Sequence, residues 1–146
     1  MPNVPAKERQ RRSALIKMVL GIAAELDKLG DGRDLLLVLM AVRLGNYQRR
    51  PMDVTGLAAA TGLARTTVIR HIKALEELGR VKVVNAGRRT IPILTGDDRP
   101  MVKGFYTRLE QLVISASANL SKVDSSQMDT KRKEMLIARH PSHPRE

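Results

Sequence analysis

Within residues 54–94 the hydrophobic period of the chain changes from helical to alternating, and Gly62 and Gly79 mark the breaks. Residues 54–61 hold Leu57, Ala58 and Ala59 in a short helical pattern behind Asp53, a good N-capping residue. Thr61-Gly62 reads as a tight turn. From about 65 to 79, Val68, Ile72 and Leu75 recur at helical spacing. Two stretches of alternating apolar residues follow, at about 81–85 and 90–94. Between them lies Asn85-Ala86-Gly87-Arg88-Arg89, whose Asn and Gly suit the positive-φ turns of hairpins. A short helix, a Gly turn, a longer helix and a hairpin together predict a helix-turn-helix with a β wing.

The longer helix has two faces. At 100° per residue, Val68, Ile72, Leu75 and Gly79 cluster within about 40° of one direction. Thr66, Arg70, Lys73 and Glu77 lie opposite, with Thr67 and Ile69 on the flanks. The first set is candidate core. The second, with Arg65 beside it, suits a DNA major groove. Arg can pair with a guanine edge through two parallel hydrogen bonds, and Thr can bond a base edge or touch a thymine methyl. Glu76 and Glu77 would repel phosphates, so the N-terminal half of the helix is expected to enter the groove. The candidate recognition residues are therefore Arg65, Thr66, Thr67, Arg70 and Lys73. Arg88 and Arg89 at the wing are candidates for a minor groove or a phosphate. Arg49 and Arg50, just upstream, are candidates for further backbone contacts.

Ala64 stands where this helix should carry a capping hydroxyl. Its absence leaves N-terminal amides that a phosphate can accept. His71 falls between the inner and outer faces and reads as a packing histidine. His140 and His143 have no acidic or Cys companions, so no metal site is expected.

The flanks are helical in pattern. Residues 1–6 read as a loose terminus. A helix over 7–30 carries Leu15, Val19 and Leu26 on one stripe, ended by Gly30-Asp31-Gly32. Asp31 or Asp34 is the expected cap of the next helix, about 33–48. That helix contains Leu35 through Val42, apolar all round, and is expected to be buried on nearly every side. Domain 31–96 is thus the winged helix-turn-helix. A final helix is expected from about 99 within a 97–122 segment, capped by Asp97 or Asp98 with Pro100 in its first turn. Its Val102, Phe105, Leu109, Leu112 and Ala116 follow steps of 3 and 4, the spacing of a coiled-coil seam. With Leu15, Val19 and Leu26, these form the expected dimer interface. Residues 123–146 lose the pattern and read as a mobile basic tail.

Composition limits the chemistry. The 146 residues include no Cys, which excludes disulfides, thiolate nucleophiles and Cys-type zinc sites. Net charge is +11, and residues 64–89 hold seven basic and two acidic residues, nearly half of that excess. Such a field favours polyanions. The run Leu35–Val42 is far shorter than the ~20 residues of a membrane span. A cytoplasmic, nucleoid-associated protein is expected. No Ser/His/Asp set, paired carboxylates or phosphate loop points to an enzyme, and no cofactor is expected.

The stretch 57-LAAATGLARTTVIRHIKALEELGRVK-82, with Arg88 and 93-ILTG-96, resembles the winged-helix regulators of the multiple-antibiotic-resistance (MarR) family. Their pattern runs LA-x-x-x-G-L-S-R-S-T-V-x-R-x-(I/V)-x-x-L-x-x-x-G-x-(V/I). Leu57, Ala58, Gly62, Leu63, Arg65, Thr67, Val68, Arg70, Ile72, Leu75, Gly79 and Val81 match it. The IclR-type and arsenic-repressor-type winged helices share much of this motif, and the Arg-His-Ile-Lys run at 70–73 is closer to the latter. Two departures matter: the pattern's capping Ser is Ala64, and the acidic residue two before the wing Arg is Ala86. The resemblance implies a mainly α fold with a small β-hairpin wing, a winged helix-turn-helix flanked by N- and C-terminal dimerisation helices. It also implies a homodimeric repressor on double-stranded DNA, often released by a small acidic or aromatic effector. The alternative class is an architectural or replication-associated protein that binds DNA with little sequence preference.

Overall fold

The computed structural model describes residues 3–96 and 103–139. Its elements are α1 (Ala6–Asp27), α2 (Arg33–Tyr47), α3 (Val54–Thr61), α4 (Arg65–Glu77), β1 (Val81–Ala86), β2 (Arg89–Leu94) and α5 (Phe105–Arg139). They fall into two compact units. One runs from Leu26 to Phe105; the other joins the N-terminal segment through Glu25 to the segment from Tyr106 onward.

The central unit is built on α2. Val38, Leu39, Ala41 and Val42 meet Val54 and Leu57 of α3, Val68, Ile72 and Leu75 of α4, and Val81 of β1 in one core. Val38, Leu57 and Val68 have no exposed surface at all. At ~25 cal/mol per Å² of buried apolar surface, this cluster is the main local source of stability. The expectation that α2 is buried on nearly every side holds, with one open strip. Leu37 and Leu44, two turns apart on one face, remain open. The N-cap of α2 also differs from the expected Asp31 or Asp34. Gly32 holds it, with φ 82° and no side-chain cap bond. The positive φ places Gly at the turn, and Asp34 falls inside the first helical turn.

The end of α2 is closed by backbone. The Arg50 amide donates to the Gly45 carbonyl (2.8 Å) and the Arg49 amide to Asn46 (3.1 Å). The end of α4 is closed in the same pattern: Arg80 donates to Leu75 (2.9 Å) and Gly79 to Glu76 (3.0 Å). Both closures need a left-handed residue. At α4 it is Gly79, φ 72°; at α2 it is Arg49, φ 55°.

The wing is an antiparallel ladder from Val81↔Leu94 to Ala86↔Arg89. Only Gly87 and Arg88 form its tip, so the strands are each longer than the alternation predicts. Gly87 has φ 63° while Arg88 does not turn positive, the signature of a type II′ turn. Two side chains anchor the ribbon. Asn46 Oδ1 accepts from the Leu94 amide (3.4 Å), and Thr95 Oγ1 donates to the Gly79 carbonyl (2.7 Å).

The second unit is an antiparallel pair of α1 and α5. Arg108 Nε bonds Glu25 Oε2 at 2.8 Å, and Arg11 pairs with Asp124 further along. Between them Gly21 lies against Leu112: a Cβ at position 21 would stand 2.6 Å from Leu112 Cδ2. This changes the assignment of the α5 seam. Ala116 is buried, with Leu109 and Leu112 half-buried and Phe105 also buried, so the stripe is largely covered within the chain. Val123 continues it past the expected end of the helix. Of the other expected dimer residues, Leu15 and Val19 are exposed and Leu26 is half-buried. Val102 lies outside the described residues, as do Asp97, Asp98, Pro100, His140 and His143. The helix begins at Phe105, after a Lys103-Gly104 turn, and not near 99. It runs to Arg139, through most of the segment expected to be a tail.

Gly45 offers a direct check of the core geometry. In a helix interior Ala exceeds Gly by about 1 kcal/mol. Here an added Cβ would stand 3.0 Å from the Arg50 carbonyl oxygen and 3.3 Å from the Met52 amide nitrogen, both backbone atoms. Gly45→Ala is therefore expected to destabilise the protein, by about 1 kcal/mol net. A lower urea midpoint at unchanged m would establish this, and a higher midpoint would contradict it.

Candidate nucleic-acid interface

The interface is built from α4, its preceding turn and the wing. Asp53 starts α3: its Oδ1 accepts from the Gly56 amide at 2.9 Å, the expected N-cap bond. Gly62 ends α3 in the left-handed region, φ 73°. Thr61 Oγ1 then accepts from the Leu63 amide (3.3 Å) and bridges the turn. Ala64 is the N-cap of α4, extended at φ −63° and ψ 146°, with no side-chain cap bond.

The two faces of α4 fall as the wheel predicts. Val68, Ile72 and Leu75 are buried. Arg65, Thr66, Arg70 and Lys73 are exposed. Thr67 is half-buried, on the flank. Ile69, 38% exposed, adds an apolar contact surface to the outer side. His71 is part-buried, and its Nε2 has no hydrogen-bond partner among the described residues.

A groove of ≈ 610 Å³ runs between α4, the start of α3 and the wing. Its rim carries four basic side chains, Arg65, Lys73, Arg88 and Arg89, against the acidic Asp53 and Glu76. The balance favours an anion. The basic groups are not equivalent. Arg88 and Lys73 make no hydrogen bond or ion pair among the described residues, whereas Arg65 bonds Thr55 Oγ1 and Arg89 Nε bonds Asp53 Oδ2 at 3.0 Å. The Gly56 amide first, then Arg89, holds the Asp53 carboxyl below the usual carboxylate range. Arg49 and Arg50 are exposed at the end of α2. Sequence reasoning missed Asp53 in this second role, since its partner lies 36 residues away.

Comparison with known proteins places this geometry. Residues 37–83 match the family model described as "Bacterial regulatory protein, arsR family". No curated protein sequence matches the chain. Among solved structures, BpsR of Bordetella bronchiseptica aligns over 92% of this chain and 99% of its own, at 19% identity and TM-score 0.53. The transcriptional regulator Tm0710 of Thermotoga maritima aligns over 94% and 97%, at 20% identity and TM-score 0.54. MepR, a transcription regulator of the Staphylococcus aureus multidrug efflux pump MepA, aligns over 87% and 93%, at 20% identity and TM-score 0.58.

The fold is a winged helix shared with these three structures.

The three aligned proteins take in the flanking helices as well as the winged helix, because each alignment spans most of both chains. The family model, by contrast, covers α2 after Leu36, then α3, α4 and the first half of β1. The expected layout, a winged helix-turn-helix with long helices before and after it, is the one found. Within that winged helix, the bare α4 N-terminus is the feature most open to measurement. Ala64→Ser is expected to add about 1 kcal/mol by satisfying one free amide. For a chain of this size that raises the melting temperature by about 3 °C. An unchanged melting temperature would mean those amides already have partners.

Proposed function

We propose that the protein is a sequence-specific, double-stranded-DNA-binding transcriptional regulator, a homodimeric repressor acting in the cytoplasm at the nucleoid. The observation that carries this reading is the outer face of α4. Thr66, Arg70 and Lys73 stand exposed on a helix whose opposite face is sealed, and Ala64 leaves the helix N-terminus bare. In this reading the N-terminal half of α4 enters the major groove. Arg70 and Thr66 read base edges, Arg65, Thr67 and Lys73 support them, and the free α4 amides donate to a phosphate. Arg88 and Arg89 form the wing's contribution at the minor groove or backbone. The likeness to BpsR, whose DNA binding is regulated by 6-hydroxynicotinic acid, and to MepR, of which one mutant structure holds an oligodeoxyribonucleotide, supports the reading at the level of fold. A small-molecule effector belongs to the proposal, with its identity open. Tm0710 and MepR are transcriptional regulators, and no enzymatic activity is part of this reading. Among the described residues no helix is long and apolar enough to cross a membrane.

A second copy is supported by the open face of the terminal-helix unit. Leu15, Ile16, Val19 and Leu20 on α1 are 44–64% exposed, and Val113 and Ile114 on α5 are 51% and 57% exposed. Two-fold pairing would set two recognition helices about 34 Å apart, on successive major grooves.

Selection of bound sites from random duplex DNA tests the central reading. The wild type is expected to yield paired half-sites, and Arg70→Ala to lose preference at one position of each, at ~1–3 kcal/mol per lost bidentate contact. Binding that tracks charge alone, with no preferred sequence, would instead identify an architectural DNA protein. Arg49 gives an independent test of the backbone contacts. A left-handed non-Gly residue costs about 1 kcal/mol, and strain of this kind concentrates at functional positions. Arg49→Gly is expected to raise stability by roughly 0.5 kcal/mol while weakening duplex binding. Unchanged affinity would remove Arg49 from the contact set.

A further inference from the structure

The two arginines of the wing occupy different positions. Arg88 is one of the two tip residues, exposed and without a hydrogen bond or ion pair among the described residues. Arg89 is the first residue of β2, paired across the ladder with Ala86, and its guanidinium reaches back to Asp53. A two-residue tip on a two-stranded ribbon has little to hold it, since such a ribbon alone is marginally stable. Ala86, directly opposite Arg89, carries no charge that could brace the turn. Asp53 supplies that brace from another element. It is itself well fixed, three-quarters covered and bonded to the Gly56 amide at the start of α3. The start of α3 and the first turn of α4 are in turn linked through Thr55 and Arg65. One carboxylate therefore connects the helix-turn-helix to the end of the wing nearest the tip.

We propose that Asp53 is the positioning residue of the wing: it latches Arg89 as a strut, which leaves Arg88 as the arginine that meets the DNA backbone. This deepens the DNA-binding reading above and rests on it for the DNA contact, though not for the latch itself. It also divides between two residues a role first given to both. In the groove, Asp53 would otherwise repel a phosphate; with Gly56 and Arg89 on its two oxygens, that charge is occupied.

Asp53→Asn separates the two roles of this residue, because Asn caps a helix as well as Asp does but cannot form the ion pair. The full-length protein is compared with Asp53→Asn, Arg89→Gln, the double variant and Arg88→Gln. Amide hydrogen exchange of β1 and β2 in the free protein is read first, with α4 amides as the control for an intact fold. Each of Asp53→Asn and Arg89→Gln is expected to speed wing exchange about three-fold, the scale of a half-exposed ion pair. The double variant is expected to add nothing further. Wild-type exchange rates in either single variant would overturn the latch.

Duplex binding against salt concentration is read second. Arg88→Gln is expected to reduce the slope of log K on log salt by about 0.9 per protomer, one phosphate contact, while Arg89→Gln leaves the slope unchanged. A reduced slope in Arg89→Gln, with tighter binding by Asp53→Asn, would overturn the assignment. It would make Arg89 the phosphate ligand and Asp53 its competitor. Should the wild type bind no duplex at all, the DNA reading fails, and the exchange measurements still decide the latch.

Discussion

The burial of Val68, Ile72 and Leu75 controls the rest of the interface. A helix has a nearly rigid cross-section, so sealing one face against α2 and α3 sets the direction of every other residue on it. Thr66, Arg70 and Lys73 are exposed because their neighbours are packed, and not because anything on the surface holds them out. The packing also explains the compactness of the turn. Leu57 and Val68, both without exposed surface, lie on successive helices whose connection is only a few residues long. The helices can meet there because Gly62 takes the left-handed conformation.

Charge acts on a different length scale from this packing. The net +11 makes an attractive field for a polyanion, but salt screens it within about 8 Å at physiological ionic strength. It can raise the rate and strength of association without choosing a site. In the proposed DNA complex, position would depend on short-range features: the bare amides behind Ala64, the exposed Arg70 and the groove between α4 and the wing. The groove is not uniformly basic. Asp53 sits in it, and the arrangement is coherent because its two carboxylate oxygens face a backbone amide and an arginine.

The parts of this structure that could be read from sequence are those set by local period. The faces of α4, the cap at Asp53, the turn at Gly62 and the two strands follow from spacing within a few residues. Contacts across sequence could not be read that way. Asp53 to Arg89 and Asn46 to Leu94 depend on where the core folds the chain. The α2 N-cap is not legible in the sequence for a related reason. Two aspartates were available, but the backbone needed a positive φ there, which Gly32 supplies. The length of α5 is not legible in the sequence because its apolar stripe ends well before the helix does. Residues 128–139 include Lys, Arg, Glu, Met and Leu, good helix formers, and they continue a helix already nucleated by Phe105–Val123.

The terminal helices show what periodicity leaves open: it identifies an apolar stripe and not the surface that covers it. On α1, Ala14 and Gly21 are seven residues apart and share a face. Gly21 lies directly on Leu112 of α5, and Ala14 is buried. The intrachain contact thus uses the small residues of α1, which allow close approach of the two helices. The large ones, Leu15, Ile16, Val19 and Leu20, are left outside. A helix pair meant to stand alone would do the reverse, since burying Leu and Ile removes far more apolar surface from water than burying Ala and Gly. Four bulky aliphatic residues on successive turns of α1 form a patch of the kind that marks an interaction surface, and Val113 and Ile114 of α5 are exposed as well. The proposed homodimer therefore draws on the outer face of α1 together with those α5 residues. The α5 stripe through Leu109, Leu112 and Ala116 is largely covered within the chain, which leaves Leu15 and Val19 as the expected interface residues still open to a second copy.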